Sequence, residues 1–122
     1  MGLDMYLFER KTGTELMYWR KANQIRRWLV DHLNDFDPSD NLGKYDVSRE
    51  VLQDLIDDID YVLEDESIER AEEVMPTGSG FFFGNTEYDE YYFDTLRYTR
   101  EQIQEILDTT SEEDEIYYTE WW

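Results

Sequence analysis

Apolar and polar positions alternate through residues 2–9: Leu3, Met5 and Leu7 fall on one side, Asp4, Tyr6 and Phe8 on the other. A period of two belongs to a strand. Lys11-Thr12-Gly13-Thr14 reads as a turn, and Glu15-Leu16-Met17-Tyr18 returns as a second strand, which predicts a hairpin. Over residues 19–34 the period lengthens to that of a helix, with Ala22, Ile25, Leu29 and Leu33 in line and Trp28 and Val30 flanking. The turn-rich run at 35–43 ends it.

Ser48 is the expected N-cap of the next helix. Leu52, Leu55, Ile59, Val62 and Leu63 form its apolar stripe, and Glu50, Asp54, Asp57, Asp58 and Asp65 lie opposite. A shorter helical piece, SIERAEEV, stops before Pro76. Three phenylalanines at 81–83 follow a glycine-rich loop and predict a short strand with partners on both faces. Gly84 and Asn85 turn the chain, and Thr86 is the expected N-cap of a helix over 87–108. Tyr88, Tyr92, Leu96, Ile103, Ile106 and Leu107 are its inward positions. Glu90, Asp94, Arg97, Glu101, Glu105 and Asp108 face out, and Asp89 and Glu90 sit where the helix dipole favours negative charge. An acidic connector at 111–115 leads to a closing strand at 116–122. The expected fold is one small α+β domain over 1–122. Its short, mostly antiparallel sheet takes N-terminal, central and C-terminal strands and packs against about three helices.

Charge changes this picture. The chain of 122 residues carries a formal net charge of −20, and all of the excess lies late. Residues 1–49 hold eight basic and eight acidic side chains; residues 50–122 hold three basic and twenty-three acidic. Self-repulsion of this size costs stability. It also repels nucleic acid and membrane phosphates, so a macromolecular partner is expected to be basic. With 40% hydrophobic and 16% aromatic residues the chain is too apolar for an acidic disordered tail. No stretch reaches the ~18 apolar residues of a membrane span, and the first residues lack the pattern of a secretory signal, so a cytoplasmic location is expected.

Candidate chemistry is sparse. Cysteine is absent, which removes disulfides and thiolate chemistry. Gly78-x-Gly80-x-x-x-Gly84 matches neither a dinucleotide fold nor a P-loop. His32, the single histidine, has no nucleophile motif around it. Asp35-x-Asp37-x-x-Asp40 begins like a calcium loop but has Pro38 inside and no glycine at the sharp turn. Asp57, Asp58, Asp60 and Glu64 read as a solvated helix face rather than an ion site. No catalytic residue, cofactor or metal is therefore assigned.

The segments GLDMYL at 2–7, YWRKANQI with Trp28, and GFFFG.TEYDEYY at 80–92, with an aromatic C-terminus, resemble a family of small uncharacterised acidic proteins encoded by phages and prophages. The resemblance covers most of the chain and implies a phage setting, in which small acidic proteins resemble counter-defence factors of anti-restriction or anti-CRISPR type.

Rows of carboxylates one helical turn apart lie ~5–6 Å from each other, against one phosphate per ~3.4 Å along a DNA strand. The leading expectation is a non-enzymatic nucleic-acid mimic that fills the basic groove of a host nuclease or defence protein, as monomer or dimer. Its contact residues are Glu50, Asp54, Asp57, Asp58 and Asp65, then Glu90, Asp94, Glu101 and Glu105, with Glu112, Glu113 and Asp114 as a mobile supplement. The alternative is a small enzyme or ligand-binding protein with a pocket at Gly78–Gly84, and with Asp4, Trp19 and Asn23 nearby. A third reading is self-association through exposed aromatics.

Overall fold

The expected alternation is borne out in the first strand, where Leu3, Met5 and Leu7 are fully buried and Tyr6 and Phe8 are not. The computed structural model describes residues 3–78 and 87–122. The expected Phe81–Phe83 strand, the Thr86 cap and the Gly80–Gly84 part of the glycine segment lie outside the described residues. The chain forms β1 (Asp4–Glu9), β2 (Glu15–Arg20), α1 (Asn23–His32), β3 (Lys44–Val47), α2 (Arg49–Leu63), α3 (Ile68–Val74), α4 (Glu90–Thr109) and β4 (Ile116–Trp121). The class is α+β, as expected.

The sheet is antiparallel, in the order β2-β1-β4-β3. β1 and β2 form the predicted hairpin. Its turn needs Gly13, which stands at φ 72° and donates its N–H to the Glu9 carbonyl at 2.9 Å. The C-terminal strand β4 enters between β1 and β3, so the two chain ends meet at the centre of the sheet. One sheet face carries Met5, Leu7, Met17, Trp19, Tyr45, Val47, Ile116 and Tyr118 into the core, where Ile25, Trp28, Leu55, Ile59, Leu96 and Ile103 of the helices meet them.

Three expectations need correction. The helix expected over 19–34 begins only at Asn23, because Trp19 and Arg20 extend β2 and Lys21 turns the chain at φ 55°. The Lys21 N–H still bonds the Leu3 carbonyl at 2.7 Å, so the ladder outlasts the turn from polar to helical periodicity. β3 was not foreseen: four residues just after the turn-rich run are drawn into extended form by pairing with β4. The last helix begins at Glu90, and its N-cap is Asp89, whose carboxylate accepts the Tyr92 N–H at 3.1 Å. Ser48 caps α2 as expected, accepting from the Val51 N–H at 3.1 Å.

Candidate partner-binding interface

α2 and α4 lie side by side and antiparallel. Arg49 at the start of α2 donates to the Leu107 carbonyl at 2.6 Å and to Thr110 Oγ1 at 2.8 Å, at the end of α4. Further along, Arg100 Nε meets Asp60 Oδ1 at 2.6 Å, and Arg97 pairs with Glu66. Their buried stripes, Leu52, Leu55, Ile56, Ile59 and Val62 on α2 and Tyr92, Phe93, Leu96, Ile103 and Ile106 on α4, set the opposite sides to solvent.

Those outer sides carry the expected carboxylates. Glu50, Asp54 and Asp57 are exposed along α2; Glu90, Asp94, Glu101 and Glu105 are exposed along α4. Arg97, exposed, and Arg100, half-buried, lie along the seam between the two helices. There Arg97 and Arg100 flank Leu63 in a shallow groove of about 370 Å³ together with Glu101, Gln104, Glu105 and Asp108. Arg97 and Arg100 hold Glu66, Asp94 and Asp60 in ion pairs. Among the described residues Asp94 is the one expected contact residue so engaged; Glu50, Asp54, Asp57, Glu101 and Glu105 are in no ion pair.

Other expected residues fall elsewhere. Asp58 is half-buried and accepts the Trp28 indole N–H at 2.8 Å, which makes it a strut between α1 and α2. Asp65 is exposed beyond the end of α2. The connector is tied rather than loose: Asp114 accepts the Ser111 N–H at 2.8 Å, and Lys11 Nζ donates to the Glu113 carbonyl at 3.2 Å. It brings Glu112 and Asp114 across from Glu50 in a groove of about 940 Å³ that Arg10, His32 and Arg49 also line. His32 itself stacks on the Trp28 ring with centroids 3.7 Å apart.

For the residues expected beside a Gly78–Gly84 pocket, only their relation to Gly78 lies within the described residues. Asn23 does reach the segment, accepting the Gly78 N–H at 3.0 Å, and Arg27 donates to the Thr77 carbonyl at 2.7 Å. Trp19 is buried with its indole on Thr99 Oγ1 at 2.8 Å. Asp4 lies on the opposite sheet face, bound to the Tyr18 hydroxyl at 2.6 Å.

That opposite face is what sequence reasoning missed. Among the described residues no helix covers it, and it is aromatic. Tyr18 lies 5.2 Å from Tyr6, Tyr6 stacks on Phe8 at 5.5 Å, and Phe8 stacks on Tyr117 at 5.6 Å. Trp121 continues beside them, 57% exposed. Arg10 and Lys44 sit over the Tyr117 ring at 4.8 and 5.4 Å. The hydrogen bond to Asp4 pushes the Tyr18 phenol up to about 12; burial, then the charges of Asp4 and Glu15, raise Tyr6. The signal was present in the first strand, where Tyr6 and Phe8 occupy the side that the core does not use.

No protein-family model, no curated protein and no solved structure matches the chain.

Proposed function

We propose that the protein acts as a nucleic-acid mimic, occupying the basic groove of a nucleic-acid-binding protein through the outer faces of α2 and α4. The observation that carries this reading is that, among the described residues, Arg97 and Arg100 engage Asp60, Glu66 and Asp94 while the exposed Glu50, Asp54, Asp57, Glu101 and Glu105 are in no ion pair. The two rails run along neighbouring antiparallel helices, whose axes pack roughly 8–10 Å apart. Lysines and arginines that clasp phosphate meet the same sign of charge at comparable spacing. The resemblance to phage-encoded acidic proteins supports a host nuclease or defence complex as the target, met in the cytoplasm.

The test is capture from a bacterial lysate on the immobilised chain, with duplex DNA as competitor. The reading expects a basic nucleic-acid-binding protein that DNA displaces, captured poorly by the combined variant Asp54→Lys, Glu101→Lys, Glu105→Lys. Association with that protein is expected to slow by roughly 10- to 1,000-fold as salt is raised, the range that electrostatic steering supplies. Capture indifferent to DNA, to charge reversal and to salt overturns it.

A further inference from the structure

The open sheet face differs in charge from the rest of the molecule. Its strands project Arg20 and Lys44, and Arg10 follows the end of β1, against Asp4, Glu15 and Asp46, equal numbers of each sign on a chain of net charge −20. One of these pairs is already made, Arg10 to Asp46 at 2.7 Å. Between them runs the aromatic row of Tyr18, Tyr6, Phe8 and Tyr117, with Tyr18 37% exposed and Trp121 57% exposed. Aromatic side chains at this exposure supply contact area at low cost in side-chain entropy.

We infer that this face is a homodimer interface, closed by a second copy of the chain about a two-fold axis. Three observations select that occupant. A two-fold contact places one patch against itself, so the patch must be self-complementary. The sheet face carries both signs in balance and meets that condition, whereas the helical layer, with one dominant sign, does not. Two bodies each of net charge −20 repel, and contact through the sheet face keeps the outer carboxylates of α2 and α4 of the two copies apart. The basic partner expected of the helical layer has no comparable reason to prefer a neutral face.

The size of the face sets the strength. Six-residue strands span ~20 Å and four strands ~19 Å across, so each copy offers roughly 400 Å² in plan. That is about half of what one partner contributes to a standard interface. The dimer is therefore weak and concentration-dependent. Its salt response has the opposite sign to that of the helical layer, since screening relieves the repulsion between copies.

Sedimentation velocity over a range of protein concentrations, at low and high salt, tests this. The expected result is a monomer at low concentration, a shift toward twice the mass as concentration rises, and a stronger shift at high salt. Tyr117→Lys is expected to abolish the shift although it lowers the net negative charge. Trp121→Ser, a truncation at an exposed position that leaves the core intact, is expected to weaken it and serves if Tyr117→Lys fails to fold. Glu101→Lys with Glu105→Lys, on the helical side, is expected to leave the dimer in place. A monomer at every concentration and salt overturns the proposal. So does a dimer that survives both sheet-face variants, or one lost only on helical-side reversal. The lysate capture above is scored on helical carboxylates, so either reading can fail without the other.

Discussion

Arg26 and Glu120 form the most deeply buried ion pair among the described residues. The Glu120 side chain is fully buried, and Arg26 reaches it with Nε at 2.8 and 2.9 Å from the two carboxylate oxygens. Tyr118 and Trp122 donate to the same carboxylate at 2.6 and 3.0 Å, so its lone pairs are satisfied. The network joins α1 to the central strand, and Arg26 Nη2 extends it to the Pro38 carbonyl at 2.9 Å. Burial next to that carboxylate holds the Tyr118 phenol well above its ordinary range. Removing one partner of such a pair leaves the other buried and uncompensated, at a cost of about 3–5 kcal/mol. Glu120→Ala is expected to lose that much in urea unfolding. Arg26→Met combined with Glu120→Leu is expected to recover part of it, because no orphan charge remains although the Tyr118 hydroxyl loses its acceptor. A loss under 1 kcal/mol in the single variant would remove this pairing from the account of the fold.

At the scale of elements, periodicity was legible wherever burial alone decides it. The alternation in β1 and the stripe Leu52, Leu55, Ile59 and Val62 in α2 predicted both elements and their buried sides. Boundaries set by pairing were not legible. Trp19 fits a helical period as well as a strand, and only the ladder to β1 keeps it in β2. Lys44-Tyr45-Asp46-Val47 has two inward residues, too few to announce a strand without β4 beside it. The start of α4 was misplaced because Thr86 and Asp89 are both good caps, and spacing alone does not choose between them. Choosing Asp89 has a measurable consequence. Losing its bond to the Tyr92 N–H exposes an orphan donor at the start of a 20-residue helix. Asp89→Ala is expected to cost about 1 kcal/mol in denaturant unfolding, with Asp89→Ser restoring most of it. An unchanged midpoint in Asp89→Ala would place the cap elsewhere.

For the whole molecule, charge asymmetry along the sequence becomes asymmetry between two layers. The acidic stripes of the candidate interface were legible because helical spacing places Glu50, Asp54 and Asp57, and Glu101 and Glu105, on single faces. The aromatic sheet face was not, because Tyr6, Tyr18 and Tyr117 are far apart in sequence and meet only through strand order. A layer retained for its negative charge should be strained by it. Glu101 and Glu105 stand four residues apart on the exposed side of α4, and among the described residues neither is in an ion pair. A like-charge pair at that spacing destabilises a helix by about 0.2–0.5 kcal/mol. Neutralising one member is therefore expected to stabilise the fold: Glu105→Gln should raise the unfolding midpoint at low salt by that increment. The gain should shrink as added salt brings the Debye length to ~3 Å near 1 M, below the ~5–6 Å between the two side chains. On the proposed mimic reading, the same substitution should weaken capture of a basic partner, because that reading offers the repelling carboxylates to it. Stability gained where binding is lost is the signature of a surface kept for function. If Glu105→Gln proved neutral or destabilising at low salt, the stripe would carry no stored repulsion, and its charge would need another explanation.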